Sequence, residues 1–199
     1  MSMILYLKRI SDADISRLMA TPAGVHAFIE AGQEEPDRGP EYAAALAELK
    51  KQMEAAGQAP PPRFAMAFGA YPFNDVFDVD KMWHGLYFLL TGTDHGGASP
   101  VNYLFYAPSV GDEDVGYGPA RAISAAQTGE LSEYLDGLEK SAVLAHFDAQ
   151  RMKALNIYPD IWDEDAAELK EALGGAFDEM KAYCRKCVAH GLGMLAYIS

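Results

Sequence analysis

Two cysteines, five histidines and several aspartates close to tyrosine, tryptophan and arginine are the residues of this chain that could do chemistry. Cys184-Arg185-Lys186-Cys187 has the C-x-x-C spacing of thiol–disulfide and metal-binding pairs. Such a pair is activated at a helix N-terminus, where the dipole stabilises thiolate. Here it falls near the C-terminus of a long predicted helix, where the dipole works the other way. Leu169, Leu173, Ala176, Phe177, Met180, Cys184, Cys187 and Val188 form one helical stripe. Both sulfurs are therefore expected in the core, as small buried hydrophobes. A structural zinc would need two more soft ligands, and only His190 stands near, so no metal is expected.

Asp112-Glu113-Asp114-Val115-Gly116 has a faint likeness to a calcium loop, and a weak divalent-cation site is a minor reading of it. Ile123, however, occupies the position where an EF-hand places its bidentate glutamate. Gly116-Tyr117-Gly118-Pro119 is not a dinucleotide fingerprint, because Arg121 stands where the third glycine belongs. There is no P-loop, no H-E-x-x-H and no G-x-S-x-G, so no cofactor is expected. His84 lies at the edge of an apolar helical stripe and is expected to be a hydrogen-bonded core-edge histidine. His95, between Asp94 and Gly96-Gly97, lies in a glycine loop predicted to be mobile, where a general base would be poorly held.

The elements that must position these residues follow from periodicity and capping. Residues 3–10 begin with a β-friendly run and predict a strand. Ser11, with Asp14 three residues on, starts a helix, and Thr21-Pro22 marks the start of a second, running to about Ala31. Residues 41–56 favour helix, and Pro60-Pro61-Pro62 ends that stretch. Asp78 is expected to cap the next helix, whose Val79, Met82, Trp83, Leu86, Tyr87 and Leu90 share a face and which Gly92 ends. Residues 100–107 are apolar and of undecided type. Residues 111–119 predict a loop and 120–123 a short strand. Ser124 and Gln127 form a capping box for a helix to about Leu138. A helix over 141–154 is expected to break near Phe147-Asp148. Asn156 to Trp162 predicts a loop, and Asp163 is expected to cap the longest helix, to His190, with Gly191 after it. Residues 192–198 close the chain as an apolar strand.

There is no βαβαβ alternation, so the pattern predicts an α+β fold in which the N- and C-terminal strands share a small sheet packed with several helices. At 199 residues, half of them hydrophobic, the chain is expected to be one domain, 1–199, with a peripheral helical insertion at about 32–63. The net charge of −13 argues against nucleic acid and against anionic membrane surfaces, and permits a basic protein partner. No apolar stretch is long enough to span a membrane. Residues 1–10 do not resemble a signal peptide, because Lys8 and Arg9 follow the apolar run. With no disulfide framework either, a cytoplasmic location is the expectation.

Three segments remain, and they carry a resemblance. They are 111–121 (Gly-Asp-Glu-Asp-Val-Gly-Tyr-Gly-Pro-Ala-Arg), Tyr158-Pro159-Asp160-Ile161-Trp162, and Asp80-Lys81-Met82-Trp83-His84-Gly85-Leu86 followed by Phe88-Leu89-Leu90-Thr91-Gly92. With Met1-Ser2-Met3-Ile4 at the start and Leu195-Ala196-Tyr197-Ile198-Ser199 at the end, they resemble the YfbM-like family of bacterial proteins of unknown function. The resemblance implies a compact bacterial domain and brings no established reaction with it. Residues 32–62 look longer than the family pattern, and the cysteine pair departs from it.

The motifs gather Trp83, His84, Asp112, Asp114, Tyr117, Arg121, Tyr158, Asp160, Trp162 and Asp163 as a candidate site cluster. Arg121 is expected to meet a carboxylate there in a bidentate pair, with Tyr117, Trp83 and Trp162 as walls. Three readings of the cluster stay open. It could be a packing network in a protein whose acidic surface binds a basic partner, as an inhibitor or immunity-type module. It could hold a polar ligand. It could do acid–base work on one. A non-enzymatic binding module is the leading expectation.

Overall fold

The computed structural model describes residues 2–31, 68 and 76–199. The expected insertion at 32–63, with its helix at 41–56, lies outside the described residues. The fold is α+β, with five strands in one antiparallel sheet and eight α-helices among the described residues.

The first strand lies inside the sheet, next to the central one. β1 (Leu5–Ile10) pairs antiparallel with the final strand β5 (Gly193–Ile198), in the register Leu5–Ile198, Leu7–Ala196 and Arg9–Met194. The strand order is β2-β1-β5-β4-β3, with β2 at Val76–Asp78, β3 at Ser109–Asp114 and β4 at Pro119–Ile123. Two short apolar ends thus bury each other, as expected. Side chains alternate across the pleat. Leu5, Leu7, Ile123, Met194 and Ala196 pack into the larger core, whereas Ile10, Ala120, Ala122, Leu195 and Tyr197 join a second core on the other face.

The second core is closed by Leu18, from α1 (Asp12–Ala20), and by Val25 and Phe28, from α2 (Val25–Glu30). Ser11 caps α1 by accepting a bond from the Asp14 N–H. Thr21 gives no side-chain cap, so Pro22 opens a 3-10 turn, Pro22–Gly24, ahead of α2. Lys8 points from β1 to the end of α2, where its ammonium donates to the Ile29 and Ala31 carbonyls. A cation there offsets the negative pole of the helix. Burial lowers the amine to about 8.

The larger core holds α3 (Trp83–Thr91) and α8 (Ala166–Ala189). α3 is buried on more than the one predicted face, with Gly85, Leu86, Tyr87, Phe88 and Leu89 all enclosed. It lies between α8 and α6 (Lys140–Leu144), which explains its wide burial. Gly92 ends it in the left-handed region, at φ 72°. Asp78 does not cap it. That residue ends β2, and its carboxylate holds the Asp80 N–H at 2.6 Å, ahead of a 3-10 turn.

Residues 100–107 contain a one-turn helix, α4 (Tyr103–Tyr106). The loop expected over 111–119 is instead half strand, because β3 runs to Asp114 and only a tight turn separates it from β4. Ser124 and Gln127 close a full capping box on α5 (Ala125–Asp136). The expected break separates α6 from α7 (Ala149–Ala154). The cap of α8 is Asp165 rather than Asp163: its carboxylate accepts from the Ala167 and Glu168 N–H groups at 2.8 and 3.1 Å. On α8 both cysteines are buried, as expected. Val188 is exposed, and Tyr183 takes its place in the stripe.

Candidate functional site

The predicted cluster divides in two. Trp83, His84 and Tyr158 form one group, with Trp83 stacked on His84 at 4.8 Å and on Tyr158 at 6.1 Å between ring centroids. Their polar atoms are committed to backbone. The Trp83 indole N–H donates to the Met3 carbonyl at 3.1 Å, and the Met3 N–H donates to the Tyr158 hydroxyl at 3.0 Å. His84 is held at both nitrogens. The Tyr158 N–H donates to Nδ1 at 3.0 Å, so the proton sits on Nε2, which donates to the Asp94 carbonyl at 2.7 Å. Burial is the largest cause of its lowered pKa, so the ring is neutral near pH 7. These three side chains pin the N-terminal segment and two loops to α3.

Trp162 packs instead against Gly85 of α3 and Phe147, is 2% exposed, and donates to the Ile157 carbonyl at 2.6 Å. Asp160 and Asp163 face outward, and Asp163 pairs with Lys153. They take no part in the ring cluster.

Tyr117 and Arg121 make the second group. Both line a cleft of about 290 Å³ beside the ends of β1, β4 and β5. The cross-strand partners of Arg121 are Ser109 and Ala196, and these two small residues leave room beside its long side chain. Buried Leu5 and Leu104 and half-buried Pro119 and Ile198 also line it, and the rings of Tyr106 and Tyr117 are 54% and 48% exposed. Phe105, a further wall, stands 5.3 Å from Trp83 and so links the two groups.

The turn that presents Tyr117 is built by Asp114. Its carboxylate accepts from the Gly116 and Gly118 N–H groups at 2.8 and 3.0 Å, and these bonds hold it below the usual carboxylate range. Gly116, at φ 144°, lies so close to the C-terminal strand that a Cβ there would meet the Ile198 carbonyl at 2.6 Å. The Tyr117 N–H donates to that same carbonyl at 3.0 Å. Asp112 is exposed on the edge strand. The expected bidentate pair is absent: among the described residues no carboxylate lies in salt-bridge range of Arg121. The acids of the hairpin turn to their own backbone or to solvent, so among the described residues Arg121 lines the cleft without an acidic partner.

Two features escaped the sequence reading. Tyr106 and Phe105 belong to the apolar run 100–107, whose Tyr-Leu-Phe-Tyr core was the available signal. The His95 loop is not loosely held. The Gly96 N–H donates to the Tyr106 hydroxyl at 2.8 Å, the Tyr87 hydroxyl donates to the Gly96 carbonyl, and Asn102 reaches the Gly97 carbonyl at 3.2 Å. Tyr106 therefore joins this loop to the cleft wall.

A wider depression of about 730 Å³ lies between the end of α3 and the start of α7. Its basic side chains are already occupied by main chain: the His146 Nδ1 lies 2.9 Å from the Leu89 carbonyl and Arg151 donates to the Gly92 carbonyl at 2.8 Å. Among the described residues no three His, Cys, Asp or Glu side chains converge as a metal site would require. Burial raises both thiols, Cys187 to about 12, so neither is poised as a nucleophile. No helix among the described residues is long and apolar enough to cross a membrane.

The fold is similar to that of a solved structure, the protein of unknown function YfbM from Escherichia coli. The TM-score is 0.61 at 17% identity, over 98% of this chain and 99% of that one. No curated protein matches. The model of the family described as a domain of unknown function, DUF1877, matches residues 1–197, and the chain belongs to that family.

Proposed function

We propose that this chain is a binding domain for a small polar molecule, with its site in the Arg121 cleft. One observation carries the reading: half-buried Arg121 lines an aromatic-walled cleft without an ion pair among the described residues. An arginine held beside apolar surface is a strong recognition group, because its fork matches a planar anion and its plane stacks on rings. The volume falls at the lower end of the range for ligand sites, which favours a small molecule. The aromatic cluster beside it supports binding more than catalysis, since the Trp83 N–H and both ring nitrogens of His84 are taken up by main chain.

The test is Arg121→Gln. In a binding cleft the change leaves the melting temperature within about 2 °C of wild type, since no ion pair among the described residues is broken. It removes the effect of small anions on the Tyr117 and Ile198 amide signals. A fall of several kcal/mol in stability, as for a broken buried pair, would refute the reading.

A second reading is the docking of a basic protein on the acidic surface. The net charge of −13 and the exposure of Asp112, Glu113, Asp160 and Asp163 favour it. A basic partner captured at low salt and released as ionic strength rises would support it. Equal retention at high salt would count against it.

A further inference from the structure

We infer that the ligand of the Arg121 cleft is a small monocarboxylate with an aromatic or branched apolar body, an inference that rests on the reading of that cleft as a ligand site. The charge count comes first. Arg121 is the only cation among the described residues lining the cleft. Phosphate sites gather several cations, or the free N–H groups of a helix N-terminus, around an ion of up to two charges. This cleft instead borders strand ends, a tight turn and the one-turn helix α4. A single guanidinium matches a single carboxylate, which its two parallel N–H groups engage in a bidentate pair.

The surrounding field narrows the choice further. The protein carries a net charge of −13, and Asp112, Glu113 and Asp114 belong to the hairpin that supplies Tyr117. Each further negative charge on a ligand is repelled by that field without gaining a second local cation. Polyanions such as nucleotides are disfavoured, and a monoanion is tolerated.

The apolar part follows from the walls. Tyr106 and Tyr117 are two of the five exposed large hydrophobic side chains among the described residues, and both stand at this one cleft. Exposed rings beside an arginine offer stacking surface to a ligand's flat body, while half-buried Pro119 and Ile198 stand against its edge. At about 290 Å³ the space suits one ring with a short acid arm rather than an extended chain. The same chemistry could come from a free acid or from the C-terminal residue of a peptide.

The experiment is amide-resolved NMR on the full chain, titrated separately with phenylacetate, N-acetyl-phenylalanine, phenyl phosphate and 2-phenylethanol. Phenylacetate is expected to move the Tyr117, Arg121 and Ile198 amides saturably. Phenyl phosphate is expected to bind at least about tenfold more weakly, and the uncharged alcohol not to saturate. Arg121→Gln should weaken phenylacetate by about tenfold or more, the loss of one charge-assisted pair. Arg121→Lys should fall between, because it keeps the charge and loses the fork. Both variants keep a dispersed amide spectrum. N-acetyl-phenylalanine binding more tightly than phenylacetate supports a peptide C-terminus as the source, and the reverse order supports a free acid. Phenyl phosphate binding as tightly as phenylacetate, with the same amides moving, overturns the carboxylate assignment and leaves the cleft reading standing. Equal phenylacetate affinity in wild type and Arg121→Gln also overturns it. If no probe moves the cleft amides, the cleft reading falls with it.

Discussion

Gly85→Ala is expected to destabilise this protein, although the same change in an exposed helix would stabilise it. Gly85 sits inside α3, where alanine gains about 1 kcal/mol over glycine in helix propensity. A Cβ at this position, however, would fall well inside contact distance of the Trp162 Cη2 and 3.1 Å from both its Cζ2 and the Leu173 Cδ2. The indole cannot step aside cheaply. It is 2% exposed, and its N–H is tied to the Ile157 carbonyl at 2.6 Å. Overpacking of this kind costs about 1–3 kcal/mol, and loss of the indole bond adds about 1 kcal/mol. Set against the helix gain, the net loss is about 2 kcal/mol, or about 5 °C in melting temperature at this size. Trp162→Phe alone should cost about 2 kcal/mol for the lost ring and bond. It also vacates the space that the new methyl needs. The double variant should therefore be more stable than the sum of the singles by about 1–2 kcal/mol. Urea unfolding followed by far-UV circular dichroism measures all four proteins without relying on the indole as a probe. A stabilised Gly85→Ala, or an additive cycle, would refute the argument.

The other predictions concern His84, the α8 cap and the thiols. His84 has its folded pKa lowered by burial below the usual 6.5, so the unfolded chain takes up the proton first as pH falls. The stability that neutral His84 contributes is full above about pH 6.5 and declines as pH falls through the folded value. Nitrogen NMR should show the Nε2–H tautomer near pH 7, and a titration midpoint at or above 6.5 would contradict this. Asp165→Ala should cost about 1 kcal/mol, because two N–H groups of α8 lose their acceptor, whereas Asp163→Ala should cost little. Comparable losses in the two variants would contradict the assigned cap. Neither Cys184 nor Cys187 should react with a disulfide reagent at mildly alkaline pH in the native state, since burial raises both thiols, and both should react in concentrated guanidinium. Rapid native labelling of either would place it outside the core.

Much of this protein was decided within a few residues of sequence. The Ser124 and Gln127 capping box, the stop at Gly92 and the apolar stripe of α8 follow from spacing, because caps and helical faces are set by neighbours one or two turns away. β1 and β5 are short apolar runs that cannot bury themselves alone, which put the chain's two ends in one sheet, buried on both faces between the two cores. Where local signals were ambiguous, the tertiary structure chose. The acidic run from Asp163 to Asp165 offers several carboxylates, and only the approach of the chain decides which one faces the free N–H groups of α8. Of the candidate residues, Trp83, His84 and Tyr158 come together and Tyr117 and Arg121 share a cleft, whereas Asp112, Asp160 and Asp163 stand apart and the sequence pattern did not single out Phe105 or Tyr106. His84 is 74 residues from the N–H it accepts, and Met3 is 155 residues from the hydroxyl it reaches. Spacing carries no information about such partners. The setting of Arg121 was decided furthest from the sequence. Its nearby acids are close along the chain, yet Asp114 bonds to its own turn, and among the described residues Arg121 lines a cleft that exists only because distant strand ends, α4 and the β3–β4 turn meet there.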